Sequence, residues 1–270
     1  METPSRRRDG PVRTTLVAIG LAAFGILASQ FTVLPAFVLE PALVTAPAEA
    51  SLVSRTVLLI LNFLGFVLAG ALYLAATDRG WSYVDLRWPT KRGWLYVLAG
   101  ILGSFVFYIL VSLVVQALAL PSAENQVSMY IGNDQTMVLI MIGIVFFFNA
   151  PAEEFLFRNI VQKRLYAAFD RLTAVVVASA IFALIHIMSY AFFSDSLLAT
   201  LVPVMVVFGG SIIFGLLYAK TDNLVVPIAA HAAFNAIQFG LLYLALEYDL
   251  ETADPSSMSL LVDVVATLPL

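Results

Sequence analysis

Long apolar runs alternate with short polar stretches along this chain. Seven runs reach or exceed the ~20 residues a helix needs to cross a bilayer. They cover residues 14–39, 56–76, 95–120, 137–157, 172–193, 197–219 and 224–246. The pattern predicts an all-α fold, a polytopic membrane helix bundle of about seven transmembrane helices. The stretch 258–270 is apolar but short, and it holds Asp263. It reads either as an interfacial helix or as a partial eighth span. The first run is longer than the roughly 7–15-residue core of a cleaved leader. It therefore reads as a span, although the small residues Ala46, Ala48 and Ala50 follow it.

Composition agrees with the pattern. Of 270 residues, 61% are hydrophobic and only 12% charged, against about 25% charged in soluble domains. The mean hydropathy is +0.95. The net charge of −4 decides little, because the placement of charge matters more. Arg6, Arg7, Arg8 and Arg13 precede the first run. Arg79, Arg87, Lys91 and Arg92 separate the second from the third. Arg158, Lys163, Arg164 and Arg171 separate the fourth from the fifth, and Lys220 closes the sixth. With seven spans, 13 of the 14 Lys and Arg fall on one face and only Arg55 on the other. The positive-inside rule then puts the amino terminus in the cytoplasm. The reading is an integral protein of the plasma membrane, in contact with lipid and without a nucleic-acid partner. The absence of cysteine excludes disulfides, a thiol nucleophile and thiolate metal ligands. All three tryptophans, Trp81, Trp88 and Trp94, lie in the loop 78–94, where they read as interfacial anchors.

An ionisable residue at bilayer depth costs about 2.5–3.5 kcal/mol on insertion scales, so it is a functional candidate. Three clusters qualify. The first is Asn149-Ala-Pro-Ala-Glu153-Glu154-Phe-Leu-Phe-Arg158. Helical spacing pairs Glu154 with Arg158 and Asn149 with Glu153. Arg158 can hold Glu154 ionised and leave Glu153 freer to exchange a proton. Pro151 removes a helical hydrogen bond just before the pair and is expected to kink the helix. The bland alternative is two glutamates solvated at a helix end. The second cluster is Phe182-Ala-Leu-Ile-His186, in the middle of the fifth run; its alternative is a packing histidine. The third is His231-Ala-Ala-Phe-Asn235 in the seventh, with its polar residues one turn apart and facing the bundle. Its alternative is interhelical hydrogen bonding.

Depth links the clusters. If the fourth helix continues to a turn at Asp170, Glu154 precedes that turn by 16 residues and His186 follows it by 16. Both then sit about 24 Å from the turn. Asn235 comes to about 20 Å from the turn at 221–223. The three clusters share one layer, expected to be reached from the cytosolic side, with Arg158, Lys163 and Arg164 on a helix that projects beyond the hydrocarbon. A carboxylate out of water can act as a general base. His186 can help position and deprotonate water. His231 and Asn235 can donate to an oxyanion. The same atoms suit a zinc ion, since two His and a Glu are a known set; its ligands would be Glu154, His186 and His231.

These motifs resemble the CPBP family, the CAAX-protease and bacteriocin-processing (Abi) family of intramembrane proteases. The resemblance rests on Ala150-Pro151, Glu153-Glu154, Phe157-Arg158, Phe182 with His186, His231 with Asn235, and the run Asn223-Leu-Val-Val-Pro227. It covers about residues 137–238. It implies an intramembrane endopeptidase acting on a protein or peptide substrate, prenylated at a CAAX terminus in eukaryotic members. It implies that Glu153 and His186 activate water, that His231 and Asn235 form the oxyanion site, and that Glu154 and Arg158 support them. No cofactor is then required, although older descriptions of the family invoke a metal. Asn159 departs from the glycine the family commonly has there. By this reading residues 137–246 are the catalytic core, 1–136 are helices without a signature, and 247–270 are a tail.

Other intramembrane proteases fit less well. His-Glu-x-x-His is absent, and the seven runs hold no Asp. Gly209-Gly210-Ser211 is followed by Ile212 rather than the serine-protease glycine, so Ser211 reads as a close-packing residue. A non-catalytic scaffold or a proton-coupled transporter is the alternative from another class. The inverted repeats usual in transporters are not seen.

Overall fold

The computed structural model describes residues 10–194 and 196–248. The 258–270 stretch, with the question of an eighth span, lies outside them. The described residues hold seven helices long and apolar enough to cross a membrane: α1 (Pro11–Leu39), α2 (Leu52–Ala76), α3 (Lys91–Ala117), α4 (Gln135–Leu165), α5 (Arg171–Ala191), α6 (Leu197–Thr221) and α7 (Val225–Glu247). Among these residues there is no strand, and the all-α bundle expected from the hydropathy pattern is the fold.

Several helices start earlier than the apolar runs do. Polar caps set the true starts, because a side-chain oxygen there satisfies an orphan N–H of the first turn. Ser51, Thr90, Asp134, Asp170 and Ser196 each accept such a bond at the starts of α2 to α6. Lys91, Arg92 and Gln135 are therefore helical, although hydropathy alone excludes them.

The largest difference is at Arg158 in α4, a helix that continues past its apolar run to Leu165. Arg158 does not project beyond the bundle; it is 0% exposed. Around Pro151 the helix widens rather than simply kinking. Val145–Asn149 and Phe155–Gln162 are π-helical, with an α-helical turn, Ala150–Glu154, between them. Proline has no N–H and its ring crowds the carbonyl four residues back. The widened register answers this by joining the Ala150 N–H to the Val145 carbonyl. Such bulges recur at functional sites.

α1 and α2 form an antiparallel pair. They share one buried core with α4, α5 and α7, through Ala18, Leu58, Phe66, Leu156, Ala178 and Phe239. α3 packs instead on α6 and α7, through Val97, Tyr108, Phe214, Leu217 and Phe234. Arg55, the exception to the charge bias, is 4% exposed. It is neutralised by Asp134 at 2.5 Å and donates to the Tyr130 carbonyl at 3.0 Å.

On the basic face the α2–α3 loop folds under the bundle. The Asp85 carboxylate accepts from Lys163 Nζ at 2.7 Å and from the Tyr218 hydroxyl at 2.5 Å. The Asp85 backbone donates to Asn159 Oδ1 at 2.9 Å, and its carbonyl accepts from Leu224 at 2.8 Å. Trp81 and Trp88 remain exposed, at 69% and 82%, as interfacial anchors are.

Gly65 sets the α1–α2 crossing. A Cβ there would stand 2.3 Å from the Ser29 backbone. Gly65→Ala is expected to destabilise the bundle by about 1–3 kcal/mol through overpacking. Gly103, with open space around it, should tolerate Ala with no loss. Thermal unfolding in detergent checks this; equal midpoints for the two variants would refute the close crossing.

Candidate active site

Consecutive residues on a helix point about 100° apart. Glu153 and Glu154 therefore face different neighbours, and the structure gives them different company. Glu154 and Arg158 are both fully buried and meet at 2.9 Å through Glu154 Oε2 and Arg158 Nε. The other oxygen, Oε1, lies 2.9 Å from His231 Nδ1. Arg158 also donates to Ser211 Oγ at 3.0 Å. One carboxylate thus ties α4 to α7 directly and, through Arg158, to α6.

Glu153 is 7% exposed. Its Oε1 accepts from Asn149 Nδ2 at 2.9 Å, and its Oε2 stands 3.9 Å from His231 Nε2. Asn149 Oδ1 accepts in turn from Asn235 Nδ2 at 3.2 Å. Two amides in series therefore orient the carboxylate from α7. Both carboxylates lie inside the span, but only Glu153 opens onto free space. A cavity of about 300 Å³ is lined by Glu153, His186, His231, Asn235 and Asn149, and not by Glu154 or Arg158.

His186 sits at a break in α5, between Arg171–Ile185 and Ile187–Ala191. It is near the end of the span, not in its middle. Its Nδ1 is 2.7 Å from the Phe182 carbonyl. A carbonyl only accepts, so Nδ1 carries the proton and Nε2 of the neutral ring is an acceptor. Its ring packs on Phe182 at 4.4 Å. His231 is oriented in the same manner by Glu154, and its ring stacks on Phe214 at 4.7 Å and 16°.

The six residues singled out by the sequence thus form two groups. Glu153, His186, His231 and Asn235 share the cavity. Glu154 and Arg158 lie behind it. α4 ends at Leu165 rather than at Asp170, so the convergence does not depend on matched residue counts. Access also differs from expectation. The cavity extends to Asn125, Gln126 and Tyr130, in the α3–α4 connection on the face away from the basic loops.

Three further contributors, Asn149, Ser211 and Phe214, are not among those six. Asn149 was visible only as a spacing with Glu153. Ser211 serves Arg158 and not merely close packing; a hydroxyl in the middle of an apolar span was its signal. Phe214 is one apolar residue among many. Asn159 stands where the resembled family commonly has glycine. It is fully buried, and its carbonyl oxygen accepts the Asp85 N–H.

The zinc set does not fit. Among the described residues no three His, Asp or Glu side chains form a group able to hold a metal. Both oxygens of Glu154 are taken by Arg158 and His231, and His231 Nδ1 is taken by Glu154.

Residues 135–237 match the family model described as type II CAAX prenyl endopeptidase Rce1-like. That segment holds all of the motifs that resemble the CPBP family, from Glu153-Glu154 to His231 and Asn235. No curated protein and no solved structure matches the chain. With seven apolar spans, it is an integral membrane protein.

Removing one partner of a buried ion pair leaves an uncompensated charge. Arg158→Ala is expected to cost about 3–5 kcal/mol and to lower the yield of folded protein. Arg158→Met combined with Glu154→Gln should recover much of it. Unfolding midpoints of the single and double variants test this, and a single variant as stable as wild type would refute the role of the pair.

Proposed function

We propose that the protein is an intramembrane endopeptidase of the CAAX prenyl protease type. It hydrolyses a peptide bond in a membrane-associated or prenylated protein by glutamate- and histidine-activated water. The observation that supports this reading best is the division of the two glutamates. Glu154 is locked between Arg158 and His231, while Glu153 faces the cavity with His186, His231 and Asn235.

The chemistry follows from the donors and acceptors. Water enters between Glu153 and the acceptor Nε2 of His186. Glu153 takes one proton as the water oxygen attacks the scissile carbonyl carbon. The carbonyl oxygen becomes an oxyanion, met by Asn235 and by His231. His231 donates there from Nε2 when both its nitrogens carry protons, a form for which the Glu154 carboxylate supplies the counter-charge. Collapse of the tetrahedral intermediate breaks the C–N bond, and the proton held by Glu153 passes to the leaving nitrogen. Asn149 keeps the Glu153 carboxylate from rotating away.

A fluorogenic prenylated peptide and purified protein test the assignment. Glu153→Gln is isosteric and is expected to lower kcat about 10²–10⁴-fold without changing the unfolding midpoint. Asn235→Ala should lower it about 10²–10³-fold. Cleavage that survives both Glu153→Gln and His186→Ala would sink the roles of these two residues. A scaffold or transporter would show no cleavage by the wild type.

The choice of a metal-free mechanism has its own test. Chelators are expected to leave the rate unchanged. Loss of activity with chelator, restored by zinc, would overturn it.

A further inference from the structure

The residues that line the cavity come from the middle and one end of the bundle, and none from the loops at the other end. α1 runs away from the basic face, and it contributes residues 26–37, near its far end. α5 runs the same way and contributes residues 182–190, again near its far end. The α3–α4 connection, which lies wholly on that far side, contributes Asn125, Gln126, Val127 and Tyr130. It is pinned beside the site, since the Gln126 N–H donates to the Ser189 carbonyl at 2.9 Å. No residue of the loops 77–90, 166–170 or 222–224, on the basic face, lines the cavity.

The basic side is closed by a plug. Directly below Glu153 come Glu154, Arg158, Asn159 and Gln162, each 0% exposed, with Tyr218 also 0%. Beneath them Asp85 is clasped by Lys163 and Tyr218, and the Arg171 guanidinium grips the Asp222 carboxylate at 2.7 and 3.0 Å. Water or peptide arriving from this side would have to break that network. The route from the far side is already hollow.

We infer that the site takes its substrate from the face opposite the basic loops. With the basic loops in the cytoplasm, the substrate is a polypeptide segment presented at the extracytoplasmic surface. This rests on the protease reading above and narrows its substrate class. A peptide lying along or tethered to the outer leaflet fits the route, and a cytosolic tail does not. The walls near the opening mix apolar rings with amides, among them Phe37, Phe63, Asn62 and Gln126. Such walls suit an extended backbone carrying apolar side chains.

The chain has no cysteine, so accessibility can be read without background. Three single-cysteine variants are made: Gln126→Cys at the far rim, Ser189→Cys in the cavity wall, and Ser82→Cys in the basic loop. Each is exposed to a charged, impermeant maleimide in right-side-out membrane vesicles, before and after lysis. Gln126→Cys and Ser189→Cys are expected to react in sealed vesicles, and Ser82→Cys only after lysis, with a contrast of at least tenfold. Reaction of Ser189→Cys only after lysis would overturn the proposal. So would reaction of Ser82→Cys in sealed vesicles, or a Ser189→Cys that stays unreactive while Gln126→Cys reacts. A second arm uses oriented proteoliposomes with the fluorogenic peptide added to one face. Cleavage confined to the far face supports the route, and cleavage confined to the basic face overturns it. Absence of cleavage from both faces, with the expected labelling, leaves the route standing and overturns the protease reading instead.

Discussion

The fully buried Glu154 carboxylate is the point on which the bundle turns. A charge out of water is tolerated only with partners on its remaining lone pairs. Those partners come from its own helix and from α7: Arg158 at one oxygen and His231 at the other. Arg158 brings in Ser211 of α6. The register of α4 against α6 and α7 is therefore set by charge, in an interior where apolar packing alone would allow sliding. The histidine needed at the cavity wall is held by the same carboxylate. Fold specification and site construction thus share one group.

That arrangement requires two adjacent glutamates to live in opposite environments. A regular helix already turns them about 100° apart. The widened turns around Pro151 extend the separation by re-aiming the residues before and after the pair. Asn149, in the first widened turn, holds Glu153; Arg158, in the second, holds Glu154. A straight α-helix without proline would keep the spacing of four but lose the freedom to tune both pairs separately.

Much of this was legible in the sequence because the signals were local or compositional. Spans follow from the length of apolar runs, and the pairs 149/153, 154/158 and 231/235 follow from helical spacing. What was not legible depended on tertiary partners. Hydropathy ends α4 at Phe157, because a charged residue reads as surface. Yet Arg158 is fully buried, its charge met by Glu154 four residues earlier and by Ser211 more than fifty later. The break that puts His186 at the cavity wall has no proline or glycine to announce it. The direction of access depends on which halves of six helices enclose a void, and the residues that line it come from the end away from the basic loops.

The seal and the catalytic role pull on water in opposite senses. In the proposed role of general base, Glu153 needs water, as reactant and as proton donor, at its carboxylate. Arg158 and Glu154 need its absence, because their attraction is worth most in a low dielectric and falls as solvent enters. The two requirements apply to neighbouring residues on one helix turn, so a single opening cannot serve both. The structure meets them by layering. Water-accessible space lies on one side of Glu153, and packed residues from Glu154 to Tyr218 lie on the other. A protein that let water up from the basic side would hydrate the ion pair that fixes His231, and so would loosen the proposed oxyanion wall in the act of supplying the reaction. Access from the far face avoids that conflict, and it gives a physical reason for the plug to be complete where the cavity is deepest.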